Sequence, residues 1–140
     1  MADHVLNVSI VTPQETAYEG KALAVSVPGA HSPFQVLYNH APIISSLEAG
    51  VIRIEDEHNH IAYFASREGF VEVLKNNVNI IVQELVPASS IDAEALENEY
   101  NAQHAASNTG HDRLARETAR TAAAWAAARM RAARMMREGA

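Results

Sequence analysis

Hydrophobic and polar positions alternate with a period of two through most of the first 86 residues. Leu6, Val8 and Ile10 alternate with Asn7, Ser9 and Val11, and Leu23, Val25 and Val27 alternate with Ala24 and Ser26. Successive side chains on a strand point to opposite faces, so this spacing places one set on a core face. Phe34–Leu37, Val51–Glu55, Ile61–Ala65, Phe70–Leu74 and Val78–Glu84 are further strand candidates. Turn formers separate them: Pro13, Gly20, Pro28-Gly29, Asn39, Gly50, the polar run Glu55–His60, and Asn76-Asn77. Short strands recurring about every ten residues predict an all-β sandwich or barrel of about 8–10 strands.

The pattern changes at Pro87. Ser89 or Ser90 is placed to cap a helix, and Asp92, Glu94, Glu97 and Glu99 fall in its early turns, where the helix dipole favours negative charge. Ile91, Leu96 and Tyr100 give it a thin apolar stripe, and the run from Ala106 to Gly110 ends it, with Gly110 suited to a left-handed turn. Asp112 then caps a second, Ala-rich helix reaching to about Arg137. At 100° per residue Leu114, Trp125 and Met136 share a narrow arc, while Arg113, Arg116, Arg120, Arg131 and Arg134 gather opposite and Arg129 breaks the separation. An apolar face made mostly of Ala buries little area, so such a helix leaves its docking surface at modest cost. The predicted organisation is a β-sandwich over residues 1–88 and a two-helix hairpin over 89–140.

Charge sharpens this division. Residues 1–88 hold 4 Lys/Arg and 10 Asp/Glu, residues 89–110 hold 4 acids and no Lys or Arg, and residues 111–140 hold 7 Arg and 3 acids, within a chain of net charge −6. A basic tail on an acidic protein points to an acidic partner surface, and Arg favours a protein one because it pairs directionally with carboxylates. The acidic balance and the lack of a DNA-binding motif argue against nucleic acid. Ala replaces the bulky apolar residues of membrane-surface helices, no run approaches the length of a bilayer span, and the start at Met1-Ala2-Asp3-His4 has no secretory character, so the expected compartment is the cytoplasm with no direct membrane insertion.

Catalytic chemistry finds little footing. The chain has no Cys, no GxSxG, no HExxH and no Gly-rich phosphate loop. His58 and His60 with a neighbouring Glu could in principle bind zinc, but Glu55-Asp56-Glu57-His58-Asn59-His60 reads better as a solvated hairpin tip. Glu55 and Glu57 lack an apolar pocket that would raise a carboxyl pKa. No catalytic residue, metal site or cofactor is expected. A His-dependent metalloenzyme and a β-sandwich interaction module with a helical tail in some other assembly are the competing readings.

Several segments carry a family resemblance. Asn39-His40-Ala41-Pro42-Ile43-Ile44 resembles the Gly-His-Ala-Pro-Leu-Leu signature of the epsilon subunits of F-type ATP synthases. Leu47-Glu48-Ala49-Gly50-Val51-Ile52-Arg53-Ile54 is similar to the family's Leu-x-x-Gly-x-x-Arg-Ile strand, and Gly69-Phe70-Val71-Glu72-Val73 to its Gly-Phe-x-Glu-Val segment. The resemblance spans residues 5 to about 96; beyond that it is one of architecture. It implies a non-catalytic subunit of the central rotor stalk, which couples proton flow to ATP synthesis on the cytoplasmic face of a bacterial inner membrane.

The implied partners are the gamma subunit, the c subunits of the rotor ring, and the alpha and beta subunits through the C-terminal helix. By position, Gly29, Ala30, His31, Ser32, Pro33 and His40 would face the ring, and Arg116, Arg120, Arg131 and Arg134 would meet the catalytic subunits when the helices extend and block hydrolysis. The chain departs from the family at Ser32-Pro33-Phe34-Gln35, where Gly-Glu-x-Gly is usual, so that loop must differ. Members that bind ATP do so through Ile-Asp-x-x-Arg-Ala. Here Ile91-Asp92 is followed by Ala95 in place of the Arg, which implies weak or no nucleotide binding at Ile91 and Asp92.

Overall fold

A computed structural model describes residues 4–109 and 112–139, the side chains of 106–109 excepted. Its strands are β1 Leu6–Val11, β2 Thr16–Val27, β3 Phe34–Leu37, β4 Ile43–Leu47, β5 Gly50–Asp56, β6 Ile61–Ser66, β7 Gly69–Leu74, β8 Asn77–Val82 and β9 Leu85–Pro87. They form one continuous sheet in the order β4-β7-β8-β1-β2-β5-β6-β9, with β3 on the other edge of β2. The sheet folds over at β2. Its first half pairs antiparallel with β1, and in its second half Val25 lies between Val36 of β3 and Ile54 of β5. One layer is therefore β4-β7-β8-β1 with the start of β2, the other β3-β2-β5-β6-β9. The β1–β8 pairing is parallel.

The core between the layers is built from the predicted alternation. Leu6, Val8, Ile10, Val25, Val27, Val36, Leu47, Ile52, Ile54, Val71, Val73, Val78, Ile80 and Val82 are buried together. Leu23 departs from the expectation. Between Ala22 and Ala24 the β2–β5 register shifts, Ala22 facing Asp56 and Ala24 facing Glu55, so Leu23 is the extra residue of a bulge. It is half-buried outside the core, and the bulge lets Ala22 and Val25, three apart, both point inward.

Two strands escaped the periodicity. In β4, Ile43, Ser45 and Leu47 turn inward in a run too mixed to read as apolar alternation, and β9 is a three-residue edge ending in Pro87. The β7–β8 turn is Lys75-Asn76, both left-handed at φ 51° and 66°, one residue earlier than the expected Asn76-Asn77.

After Pro87 the chain makes a single 3-10 turn, Ala88–Ser90, and then two helices, α1 Ala93–Thr109 and α2 Arg113–Glu138. The cap of α1 is Asp92, whose Oδ1 accepts from the amides of Glu94 and Ala95, not Ser89 or Ser90; the Ser90 hydroxyl donates instead to Pro87 O. The 3-10 turn uses up the serines, which shifts the helix start by two residues. Asp112 caps α2 as expected, accepting from Ala115 N at 2.7 Å. The expected left-handed Gly110 lies outside the described residues, and Gly139, at φ 70°, closes α2.

The helix α2 lies across the outer face of the second layer. Trp125, Ala128 and Ala132 pack there on Tyr63, Ala65 and Ala88, with Val51, Val86, Ile91 and Met135 around them. On the helical wheel Ala119, Ala123, Ala126 and Ala133 form a second buried row, turned away from that face; α1 packs against α2. The expected Leu114–Trp125–Met136 stripe is thus only one-third right: Leu114 is 74 % exposed and Met136 41 %. The α2 residues that pack on the sheet run only from Trp125 to Met135, so both ends of the arc fall outside the contact.

Candidate partner-binding surfaces

The two outer faces of the sandwich differ. The second layer is covered by α2, whereas the first carries large apolar side chains with no other element over them among the described residues. Cross-strand register builds a row in which Phe70 of β7 stands opposite Ser46 of β4 on one side and Ile81 of β8 on the other, and Ile81 stands opposite Val11 of β1. Ile44 lies in the next row, opposite Glu72. Phe70 is 59 % exposed, Ile81 57 % and Ile44 74 %. A shallow depression of about 350 Å³ at this edge is lined by Pro42, Ile43, Ile44, Glu72, Val73 and Leu74. Gly69 sits where a Cβ would run into the Ile81 carbonyl and approach Val82 Cα at 2.8 Å, so only glycine lets β7 close on β8 beside Phe70. None of these residues was singled out as a site from sequence. The available signal was bulky apolar residues at the outward positions of strands whose inward positions were already filled by Val71, Val73, Ile80 and Val82.

The segment with Gly29, Ala30, His31, Ser32 and Pro33 joins β2 to β3, and His40 lies in the turn between β3 and β4. Phe34 brings the two together. Its ring is 6.3 Å from that of His40, and a Cβ on Gly29 would come within 3.0 Å of it and 2.5 Å of Ser32 O. Gly29 itself is buried and bridges to Leu47, while Ala30, His31, Ser32 and Pro33 are exposed. The His40 amide donates to Leu37 O at 3.0 Å, and its Nδ1 lies 2.7 Å from Ala41 O. Asn39 and Asn76 clasp this turn to the β7–β8 turn: Asn39 N donates to Asn76 Oδ1 at 2.7 Å and Asn76 Nδ2 to Asn39 Oδ1 at 3.2 Å.

Arg116, Arg120, Arg131 and Arg134 lie outside the α2 stripe that packs on the sheet, half-exposed at Arg116 and exposed at the other three. Arg131 also borders a cavity of about 210 Å³ with Pro28, Pro33, Glu48, Arg53 and Met135, so the docked helix adjoins the β2–β3 loop. Arg129, the residue that broke the amphipathic pattern, spans the seam between the helices and the sheet. Its Nη2 is 2.8 Å from Glu99 Oε2 of α1, its Nε lies 3.4 Å from Trp125 O, and its guanidinium stands 5.0 Å from the Trp125 ring centroid. Arg67, paired with Glu84 at 3.1 Å, stands 5.0 Å from the same centroid.

Ile91 and Asp92 line an open pocket of about 400 Å³ with Val86, Ser90, Ala95, Leu96, Glu99 and Arg129. Ile91 packs on the Trp125 cluster, and Asp92 Oδ1 is engaged as the α1 cap. The cation that Ala95 does not supply is present as Arg129, already paired with Glu99.

At the β5–β6 tip Asp56 organises the turn: its Oδ1 accepts from His58 N at 2.8 Å and His60 N at 2.9 Å. The backbone bond from His60 leads the causes that hold its carboxyl below the usual carboxylate range, with the His58 bond and both imidazoles adding to it. Burial, then the Asp56 charge, pushes the Tyr18 hydroxyl up. Among the described residues no group of three or more His, Asp or Glu is arranged to hold a metal ion.

Comparison with known proteins decides the family. Residues 5–88 match the ATP synthase delta/epsilon chain β-sandwich domain. Over 132 residues the chain is 33 % identical to the ATP synthase epsilon chain of Thermosynechococcus vestitus, covering 92 % of this chain and 95 % of that one. The chain belongs to the ATP synthase epsilon chain family. The epsilon chain of Salinibacter ruber is 38 % identical over 106 residues, 70 % of each chain. Among solved structures, a chain of the mitochondrial ATP synthase OSCP/F1/c-ring assembly of Euglena gracilis superposes with a TM-score of 0.80 at 21 % identity, covering 89 % of this chain and 78 % of that one. A chain of the central stalk and c-ring of the Tetrahymena thermophila enzyme gives 0.65 at 17 % identity, covering 91 % and 96 %. As an epsilon chain it is a non-catalytic subunit of the synthase, and none of its described helices is long and apolar enough to cross a membrane.

Proposed function

We propose that the sandwich links the gamma subunit to the rotor ring of c subunits, and that the α1–α2 arm regulates ATP hydrolysis by leaving the sandwich for the alpha and beta subunits. The observation that carries this reading is the contrast between the faces: a bare apolar face at Phe70, Ile81, Ile44 and Val11, and an opposite face closed by a helix that packs through Trp125 and alanines. Exposed apolar patches rimmed by polar residues mark protein interfaces. The row is flanked by Glu72, Asn77, Asn79, Asn7 and Ser9, which makes it the seat for gamma.

The loop with Ala30, His31, Ser32 and Pro33, together with His40, is the ring-facing end. Phe34 joins the two segments, so they move as one contact. Gly29 serves by fixing the loop from beneath. Arg116, Arg120, Arg131 and Arg134 would meet carboxylates of the catalytic subunits once α2 extends. Such an assembly sits peripherally on the cytoplasmic face of a bacterial inner membrane. Weak or no binding of ATP at Ile91 and Asp92 fits the occupied Asp92 and the neutralised Arg129.

The reading is tested by rebuilding the synthase with a chain ending at residue 88. Co-purification with gamma should persist and ATP hydrolysis should rise. Unchanged hydrolysis removes the regulatory role, and loss of gamma removes the docking role.

A further inference from the structure

The arm–sandwich interface contains a group that opposes docking. Tyr63 is 6 % exposed on the outer face of β6, packed with Trp125, Ala128 and Ala132 of α2. Its ring lies 6.0 Å from the Arg53 guanidinium carbon. Its hydroxyl is fully buried with no hydrogen-bond partner. A buried hydroxyl in that position loses its bonds to water and gains none, so it disfavours the state that buries it. The side chains that α2 brings to this cluster, Trp125, Ala128 and Ala132, carry no hydrogen-bond acceptor for it.

We infer that Tyr63 is a poise residue, whose unpartnered hydroxyl weakens the docked arm and regains its hydrogen bonds when α2 leaves. The inference rests on the proposed release of the arm and adds the element that sets its ease. The phenyl ring contributes the packing that holds Trp125 in place, while the oxygen subtracts from it. Removal of the oxygen alone should therefore tighten docking. An unsatisfied buried hydroxyl corresponds to about five- to 150-fold in the opening equilibrium. The second unpartnered group, the Ser66 hydroxyl, shares the inward side of β6 with Phe64, so its burial belongs to the sandwich core.

Native-state amide exchange on the full chain tests this, because sub-global opening of α2 is read separately from global unfolding. In the wild type, α2 amides should exchange faster than those of β1, β7 and β8. In Tyr63→Phe the α2 amides should slow at least about fivefold, with the strand amides changing less. The strand amides also report that the variant is folded. Exchange of α2 that is unchanged or faster in Tyr63→Phe overturns the inference while leaving arm release intact. Wild-type α2 amides that open only with the core strands would overturn arm release itself, and Tyr63 with it. A slowing of α2 alone in Ser66→Ala, as large as in Tyr63→Phe, would also count against the role assigned to Tyr63.

Discussion

Arg129 of α2 reaches Glu99 of α1 across 30 residues of sequence, Nη2 to Oε2 at 2.8 Å, while the same guanidinium lies against the face of Trp125. One side chain thus ties both helices to the ring that anchors the arm. The ion pair is partly exposed and contributes at most about 1 kcal/mol. The stacking on Trp125 adds roughly 0.5–1 kcal/mol. Arg129→Ala should therefore loosen the arm by about 1–2 kcal/mol and leave the sandwich intact. Trp125 is the single Trp of the chain, so its emission reads arm docking directly. An unshifted emission spectrum and unchanged acrylamide quenching in the variant would refute the linkage.

Trp125→Ala removes the largest side chain of the docking interface. Large-to-Ala truncations of buried aromatics cost roughly 3–5 kcal/mol, more than an interface of alanines can offset. The arm should leave, while the core between the layers, which contains no arm residue, should hold its melting transition. Circular dichroism with limited proteolysis at the α2 arginines separates the two outcomes. A variant whose sandwich melts with the arm would show that the two are one cooperative unit.

How much of this was legible in the sequence depends on the range of the interaction. Strict alternation at Leu6–Ile10 and Val71–Val73 reads the core face directly, because the strand period is local. Leu23 misled because the β2–β5 bulge is fixed by the partner strand, not by β2 itself. β4 does not stand out in the sequence because Ser45 turns inward among apolar neighbours. The Trp125 arc is visible, yet Leu114 and Met136 fall outside the stretch of α2 that packs on the sheet, a limit no wheel contains. Arg129 looked like a defect in the pattern because its partner Glu99 belongs to another helix. The bare apolar row proposed as the gamma seat is the outward remainder of strands whose inward face alternation reads directly, and it emerges only once the register aligns Phe70, Ile81 and Val11.

The pocket at Ile91 and Asp92 should bind ATP poorly, since its cation is committed. The isolated chain should show no saturable binding below about 1 mM nucleotide by calorimetry, that is, less than about 4 kcal/mol of binding energy. Glu99→Gln frees Arg129 from its counter-charge and should strengthen binding, while Arg129→Ala should not. Micromolar affinity in the wild type would refute the prediction.

Asp56 gives a pH dependence of defined sign. Its folded-state pKa lies below the unfolded value, so its contribution is fully present above the ordinary carboxylate range and is lost as pH falls through the lowered value. Asp56→Ala should lower the melting temperature at pH 7, and the gap to wild type should shrink as pH falls below about 4. A gap that stays constant down to pH 2 would mean that the capping bonds to His58 and His60 do not depend on the charge.

The bare face of the first layer yields the most direct test of assembly. Phe70 and Ile81 face each other across β7 and β8 and are more than half exposed, so polar replacements there remove contact area without opening a cavity. Central aromatic anchors typically dominate interface energy, with truncation costing about 2 kcal/mol or more. Phe70→Ser and Ile81→Ser should each weaken association with the gamma subunit by about thirtyfold or more, with the melting temperature of the isolated chain nearly unchanged. Arg120→Ala, on the outward side of α2, serves as the control and should bind gamma as wild type does. Retained affinity in both serine variants would move the gamma seat elsewhere on the sandwich. Loss of affinity in Arg120→Ala would place at least part of it on the arm, since α2 and the Phe70–Ile81 row occupy opposite faces of the sandwich.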